Sequence, residues 1–219
     1  MDPKIKVFQE LANLFEKNGF HLYLVGGSVR DYLLGIPLTD MDVVTDATPK
    51  DEKDFLSDAD YTFERFGSVK VKFNNVKFDI TTLRKESEYK DSRHPGKIEF
   101  SDKLEEDVVR RDITINALYL SKDLELEDFI RGVYDLNNKV IRMLGDPDIR
   151  LVEDPLRIIR ILRFKVDLGF EIEPSTYKAI VKHASLIEKL NKDKVKQEKK
   201  KCHHPAKLLL ELKALKKQS

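Results

Sequence analysis

The chain has 219 residues, a formal net charge of +1, 41% hydrophobic and 36% charged residues. That length suits one large domain or two small ones, and the apolar content argues for a folded chain rather than a disordered one. A single cysteine, Cys202, excludes a disulfide scaffold and a cysteine-based zinc site. No apolar run approaches the roughly 20 residues a membrane span requires.

The charge is unevenly spread. Lys189–Ser219 carries 11 lysines against 3 acidic residues, a net of +8, which leaves −7 for residues 1–188. A basic end on an acidic body suggests that this segment meets an anion such as RNA; the plainer reading is a solvated, lysine-rich terminus. The opening MDPKIKVFQELANLF lacks the continuous apolar stretch of a signal peptide, so the cytoplasm is the expected compartment.

In chain order, Ile5, Phe8, Leu11, Ala12 and Phe15 fall at helical spacing over residues 4–17, and Gly19 is the expected stop. HLYLVGG reads as a short buried strand ending in two glycines, SVRDYLLG as a helix ending at Gly35, and TDMDVVT as a strand. Val69, Val71 and Phe73 alternate with lysines. The Asn74-Asn75 turn follows, and Val76, Phe78 and Ile80 alternate with Lys77 and Asp79, so a hairpin is expected. Residues 84–103, with His94-Pro95-Gly96 at their centre, predict a mobile surface loop. A helix is expected over Leu104–Leu120, then a short strand-turn region to Met143. Further helices are expected over 151–168 and 175–190, and a last short one over Pro205–Leu215. The head is therefore mixed α and β and the remainder helical.

Two carboxylates, Asp40 and Asp42, lie two apart in a strand and so point to one face, roughly 7 Å apart along the chain. Asp79 lies on the polar face of the second hairpin strand. If that strand neighbours the first, three carboxylates converge, a donor set that suits a hard cation such as Mg²⁺ and, with two ions, in-line displacement at phosphorus. Gly26-Gly27-Ser28 follows an apolar strand and opens a helix, where backbone N–H groups approach an anion, and Arg30 in the first turn can grip a phosphate.

RRDITINAL supplies Arg111 for phosphate and Asp112 for a ribose hydroxyl or, more plainly, a helix cap. VEDPLRIIRILRF aligns Arg157, Arg160 and Arg163 along one side of a helix that Asp154 would cap, with Pro155 in its first turn. A carboxylate accepts and a guanidinium donates, so Asp154 with Arg157 complements cytosine and adenine and opposes uracil and guanine. The plainer alternative is a solvated charged face. Cys202-His203-His204 is not expected to hold zinc, which wants four ligands at set spacing.

LVGGSVRDYLLG…TDMDVVT, FDITTLRKE, RRDITINAL and EDPLRIIRILRF together resemble the head and neck motifs of class II tRNA nucleotidyltransferases, the CCA-adding enzymes and their bacterial poly(A) polymerase relatives, from about residue 20 to about residue 170. The resemblance implies an α+β fold, a polymerase-beta-type head with a mixed sheet and flanking helices followed by a helical neck; the chain's own pattern puts the head at residues 1–137, the neck at 138–190 and a lysine-rich remnant, which matches the family poorly, at 191–219. It implies Asp40 and Asp42 as metal ligands, Asp79 as third catalytic carboxylate, and Gly26, Gly27 and Arg30 at the triphosphate. Arg111 and Asp112 would touch phosphate or ribose, Asp154 and Arg157 would read the base, and Arg160 and Arg163 would support them or the triphosphate. The implied cofactor is Mg²⁺. The implied partners are CTP, ATP and the 3′ end of tRNA, with no membrane.

Segment 84–103 matches the family's flexible loop, which is shortened in CC-only relatives, so A addition is expected, as full CCA or by an A-adding specialist. Poly(A) synthesis, a non-catalytic RNA-binding remnant and a small-molecule nucleotidyltransferase are the alternatives; the base-reading helix counts against the last. Family members continue past the neck into further helices that grip the tRNA, so weak, salt-sensitive RNA binding is expected here.

Overall fold

The structure, a computed structural model, describes residues 2–39, 41–89 and 95–218. The chain divides into two compact units. The first comprises Met1–Glu86, Ile98–Arg111 and Ile115–Val133, and the second Ser87–Lys97, Asp112–Thr114 and Tyr134–Ser219.

The first unit opens with α1 (Pro3–Lys17), capped by the Asp2 carboxylate, and buries the five apolar residues read from the helical spacing. β1 (Leu22–Val25) leads through Gly26 into α2 (Gly27–Leu33), and β2 (Met41–Thr45) leads into α3 (Pro49–Glu52). β3 (Ser68–Phe73) and β4 (Val76–Thr82) form the expected hairpin. Its turn residues Asn74 and Asn75 have φ of 45° and 66°, the double left-handed turn whose twist matches that of the strands. β5 (Arg84–Tyr89) and β6 (Pro95–Phe100) pair with each other, α4 spans Leu104–Val108, and β7 (Tyr119–Leu120) and β8 (Leu126–Glu127) complete the main sheet. Its order is β3-β4-β2-β1-β7-β8, with β2 and β4 parallel and the other neighbours antiparallel.

One face of this sheet buries Met41, Val43, Phe78 and Ile80, each at most 1% exposed. The other buries Val25, Val44 and Tyr119 against Leu83 and Val108. Filling both faces with branched and aromatic side chains, at about 1.5–3 kcal/mol for each large one, makes the sheet a rigid platform.

Two expectations are corrected in this region. Residues 84–89 and 95–100 are strands rather than a loop; residues 90–94 lie outside the described residues. The alternation Lys97-Ile98-Glu99-Phe100 is a strand signal that the neighbouring Pro-Gly obscured. The helix expected over 104–120 ends at Val108 and is followed by a short 3₁₀ turn at Thr114–Asn116. Ile113, Ile115, Ala117, Leu118, Tyr119 and Leu120 are all buried. A segment buried on every side has no polar face for a surface helix to present.

In the second unit, α5 (Gly132–Asn137) enters from the first, and β9 (Val140–Ile141) pairs in parallel with β10 (Glu171–Ile172). α6 (Pro147–Glu153), α7 (Leu156–Leu168) and α8 (Pro174–Lys182) follow. The helix expected over 151–168 is split at Asp154-Pro155: α6 stops at Glu153, Asp154 is extended, and its carboxylate accepts the Leu156 N–H. The helix expected over 175–190 ends at Lys182 and gives way to a 3₁₀ turn over Ala184–Lys189. The lysine-rich end folds as α9 (Lys192–Lys200), capped by Asn191, and α10 (Pro205–Gln218), which buries Leu208, Leu212 and Leu215. Both pack on α7.

Candidate active site

Parallel pairing of β2 with β4 puts Asp42 directly opposite Asp79, and antiparallel pairing of β4 with β3 puts Lys70 opposite Asp79. Residues facing each other across a ladder share a sheet face at a spacing of about 4.8 Å. Lys70, Asp79 and Asp42 therefore form one transverse row. Lys70 Nζ lies 3.3 Å from Asp79 Oδ1, and both side chains are about half exposed, at 55% and 52%. Asp42 is half-buried. Asp40 lies outside the described residues.

The glycine turn sits against this row. Gly26 adopts φ +68°, a conformation side chains disfavour, and a Cβ there would stand 3.9 Å from Asp42 Oδ2. The Ser28 hydroxyl accepts the Asp42 backbone N–H at 2.9 Å, tying α2 to β2. Over Gly27 lies the Arg30 guanidinium, 3.4 Å from where a Cβ would be. Arg30 is buried; its Nη1 donates to Asn116 Oδ1 at 2.9 Å and its Nε to Asp31 Oδ1 at 2.8 Å. Neighbouring carboxylates with no thiol or imidazole among them are a hard-oxygen donor set, so Asp42 and Asp79 fit a magnesium-type cation. Among the described residues no group of three acidic, His or Cys side chains converges as a metal cage.

Arg111 is placed by a cluster that sequence reasoning missed. Asp107, fully buried at the end of α4, accepts from Arg110 Nε at 2.7 Å and from Arg111 Nη2 at 2.6 Å. The Tyr119 hydroxyl donates to the same carboxylate at 2.9 Å. Burial alone would raise the Asp107 carboxyl, but the Arg111 and Arg110 charges outweigh it and hold it at about 2. Burial and the Asp107 charge push the Tyr119 hydroxyl up. The spacing of Asp107 to Arg111, four residues apart, was the available signal.

The second unit gathers Asp112, Asp154, Arg157 and Arg160. Asp112 accepts from Arg157 Nε at 2.7 Å and also pairs with Arg160 Nη1. Asp154 accepts from Arg160 Nη2 at 2.6 Å, and Arg157 Nη1 donates to the Arg150 carbonyl at 2.7 Å. Burial would raise the Asp112 carboxyl, but the Arg160 and Arg157 charges hold it below its ordinary value. The side chains of Asp154 and Arg157 are only 6% and 4% exposed, each on an oppositely charged partner rather than on the other. Neither belongs to a solvated face. Arg163 stands apart from this cluster: its Nε donates to Glu198 Oε1 of α9 at 2.9 Å.

A six-stranded mixed sheet with flanking helices and a carboxylate pair beside a glycine turn places the chain in the class of polymerase-beta-type nucleotidyltransferase heads. Residues 22–142, more than half of the chain, match the poly A polymerase head domain, and the chain belongs to that family. It is 42% identical over 187 residues to a CCA-adding enzyme of Streptococcus suis, covering 84% of this chain and 46% of that protein. The crystal structure of the Bacillus stearothermophilus CCA-adding enzyme in complex with CTP superposes with a TM-score of 0.84 at 31% identity, over 95% of this chain and 49% of that one. The Thermotoga maritima CCA-adding enzyme complexed with tRNA gives 0.78 at 27% identity, over 99% and 52%. The chain thus spans about half the length of the relatives it matches.

Proposed function

We propose that the chain carries the chemistry of a tRNA 3′-nucleotidyltransferase that adds C and A from CTP and ATP, with residues 1–137 as catalytic head, 138–190 as neck and 191–219 as a basic end that meets RNA. The observation that carries this reading is the register of Asp42 against Asp79 beside the Gly26 turn. Asp42 and Asp79, with Asp40, would hold magnesium, which when bound neutralises the triphosphate and favours attack of the RNA 3′-hydroxyl on the α-phosphate, with pyrophosphate as leaving group.

The chain's own residues bind and orient. Backbone N–H groups at Gly26 and Gly27 and the Arg30 guanidinium take the triphosphate, and Arg111 takes phosphate. Asp154 accepts from the exocyclic amino group of cytosine or adenine while Arg157 donates to the ring acceptor. Each then trades an ion-pair partner for the base, and Arg160 and Asp112 are the groups that release them. Arg163, paired with Glu198, supports α7 from the far end. No helix among the described residues is long and apolar enough to cross a membrane; for a tRNA-acting enzyme the cytoplasm is the compartment we propose.

The test is incubation of the chain and Mg²⁺ with tRNA lacking its terminal CCA and each labelled nucleotide. Addition of two C and one A, then arrest, is the expected result. Addition of A alone, then arrest, would support an A-adding specialist, and long A tracts would support the poly(A) reading that the matched family's description favours. No incorporation at any nucleotide or RNA concentration would contradict all three.

A further inference from the structure

Arg111 carries three contacts along one edge. Its Nε lies 3.0 Å from Asp107 Oδ2 and 3.0 Å from the Tyr119 hydroxyl, and its Nη2 lies 2.6 Å from Asp107 Oδ2. The guanidinium carbon sits 5.1 Å from the Tyr119 ring centroid. A guanidinium is planar, so fixing the Nε–Nη2 edge also fixes the direction of Nη1. The anchor itself is rigid. Asp107 is fully buried and shared with Arg110, and Tyr119 is fully buried in β7, paired with Val25, the residue before the Gly26 turn. The anchored arginine is therefore built onto the strand next to the one that carries the glycine turn.

We propose that Asp107 and Tyr119 are positioning residues that hold Arg111 in its phosphate-binding orientation before the nucleotide arrives. This rests on the assignment of Arg111 to the nucleotide's phosphates. A long side chain already ordered spares the complex the cost of ordering it, which corresponds to about 3- to 10-fold in affinity. A purely structural role for the cluster would alter folding stability without distinguishing a phosphorylated ligand from its nucleoside.

Tyr119→Phe keeps the buried ring and removes only the hydroxyl, and Asp107→Asn keeps the shape and removes the charge. Affinity for CTP with Mg²⁺ and for cytidine is measured by titration calorimetry on the 219-residue chain, with thermal melts to verify folding. Tyr119→Phe is expected to weaken CTP about 3- to 10-fold, leave cytidine unchanged, and raise KM for CTP by more than it lowers kcat. In an Arg111→Ala background it is expected to have no further effect. If Arg111→Ala weakens CTP but Tyr119→Phe and Asp107→Asn do not, or their losses persist without Arg111, positioning is overturned while the assignment of Arg111 stands. If Arg111→Ala itself leaves CTP affinity unchanged, the assignment falls and the proposal with it.

Discussion

The two charged regions of the molecule are built on opposite principles. On the sheet, Asp42 and Asp79 are like charges set side by side, with Asp79 and its partner Lys70 half exposed. Among the helices, Asp112 and Asp154 are interleaved with Arg157 and Arg160, and the cluster is largely buried. Charges taken out of water must be matched within the protein or they will not stay ionised. Like charges in register on an accessible face instead raise each other's energy, which the Lys70 charge at one end of the row offsets in part. Under the proposed function the sheet row would receive a cation that arrives, and the helical cluster would exchange ion-pair partners it already has.

That contrast is broken most easily at Asp42. Asp42→Ala should lower nucleotide incorporation by about 10³-fold, the several kcal/mol of a lost metal ligand, while leaving the melting temperature within a few degrees. A variant that unfolds, or one that remains fully active, would remove the distinction. In the helical cluster the sign is reversed. Arg160→Ala leaves two carboxylates short of a partner and should cost on the order of 3–5 kcal/mol in urea unfolding. A loss below about 1 kcal/mol would class it with surface pairs.

Glu52 sharpens the rule from a third position. Its side chain is fully buried, and among the described residues neither carboxyl oxygen has a hydrogen-bond partner. Burial, helped by the Asp51 charge, pushes it from 4.5 up to about 8. The folded state then keeps a proton that the unfolded chain has lost, so stability falls as pH rises from 4.5 to 8. At about 1.4 kcal/mol per pH unit, the decline between pH 5 and 8 is on the order of 4 kcal/mol. Glu52→Gln should abolish that slope in denaturant titrations across this range; an unchanged slope would mean that Glu52 stays ionised. The smallest effect belongs to Lys70→Ala, which removes an exposed pair and should change stability by less than about 1 kcal/mol.

What the sequence disclosed follows the same division. The apolar spacing of α1 and the Asn-Asn turn are local patterns, and once that turn is assigned, Lys70 must face Asp79 and Asp79 must lie on the polar face. The pairing of β4 beside β2 is long-range, and it is what brings Asp79 to Asp42. The ion-pair cluster was half legible: the arginine spacing along α7 predicted neighbours, but burial of Asp154 and Arg157 depends on Asp112, 42 or more positions away. Residues 113–120 misled because a run buried at all but Asn116 carries no period of either kind, and α9 was missed because its nine residues are almost all polar, while what holds it, the Asn191 cap, the Glu198–Arg163 pair and packing on α7, is largely long-range.

The claim that most depends on this geometry is that the Asp42–Asp79 row takes a divalent cation, and it is tested by Mn²⁺ titration followed by electron paramagnetic resonance in the presence of CTP. Loss of an outer supporting group typically costs 10- to 100-fold in metal affinity, so removal of a direct ligand in Asp42→Asn or Asp79→Asn should weaken Mn²⁺ by at least about 10-fold with the fold retained. Equal Mn²⁺ affinity in the unaltered chain and both variants would contradict the account.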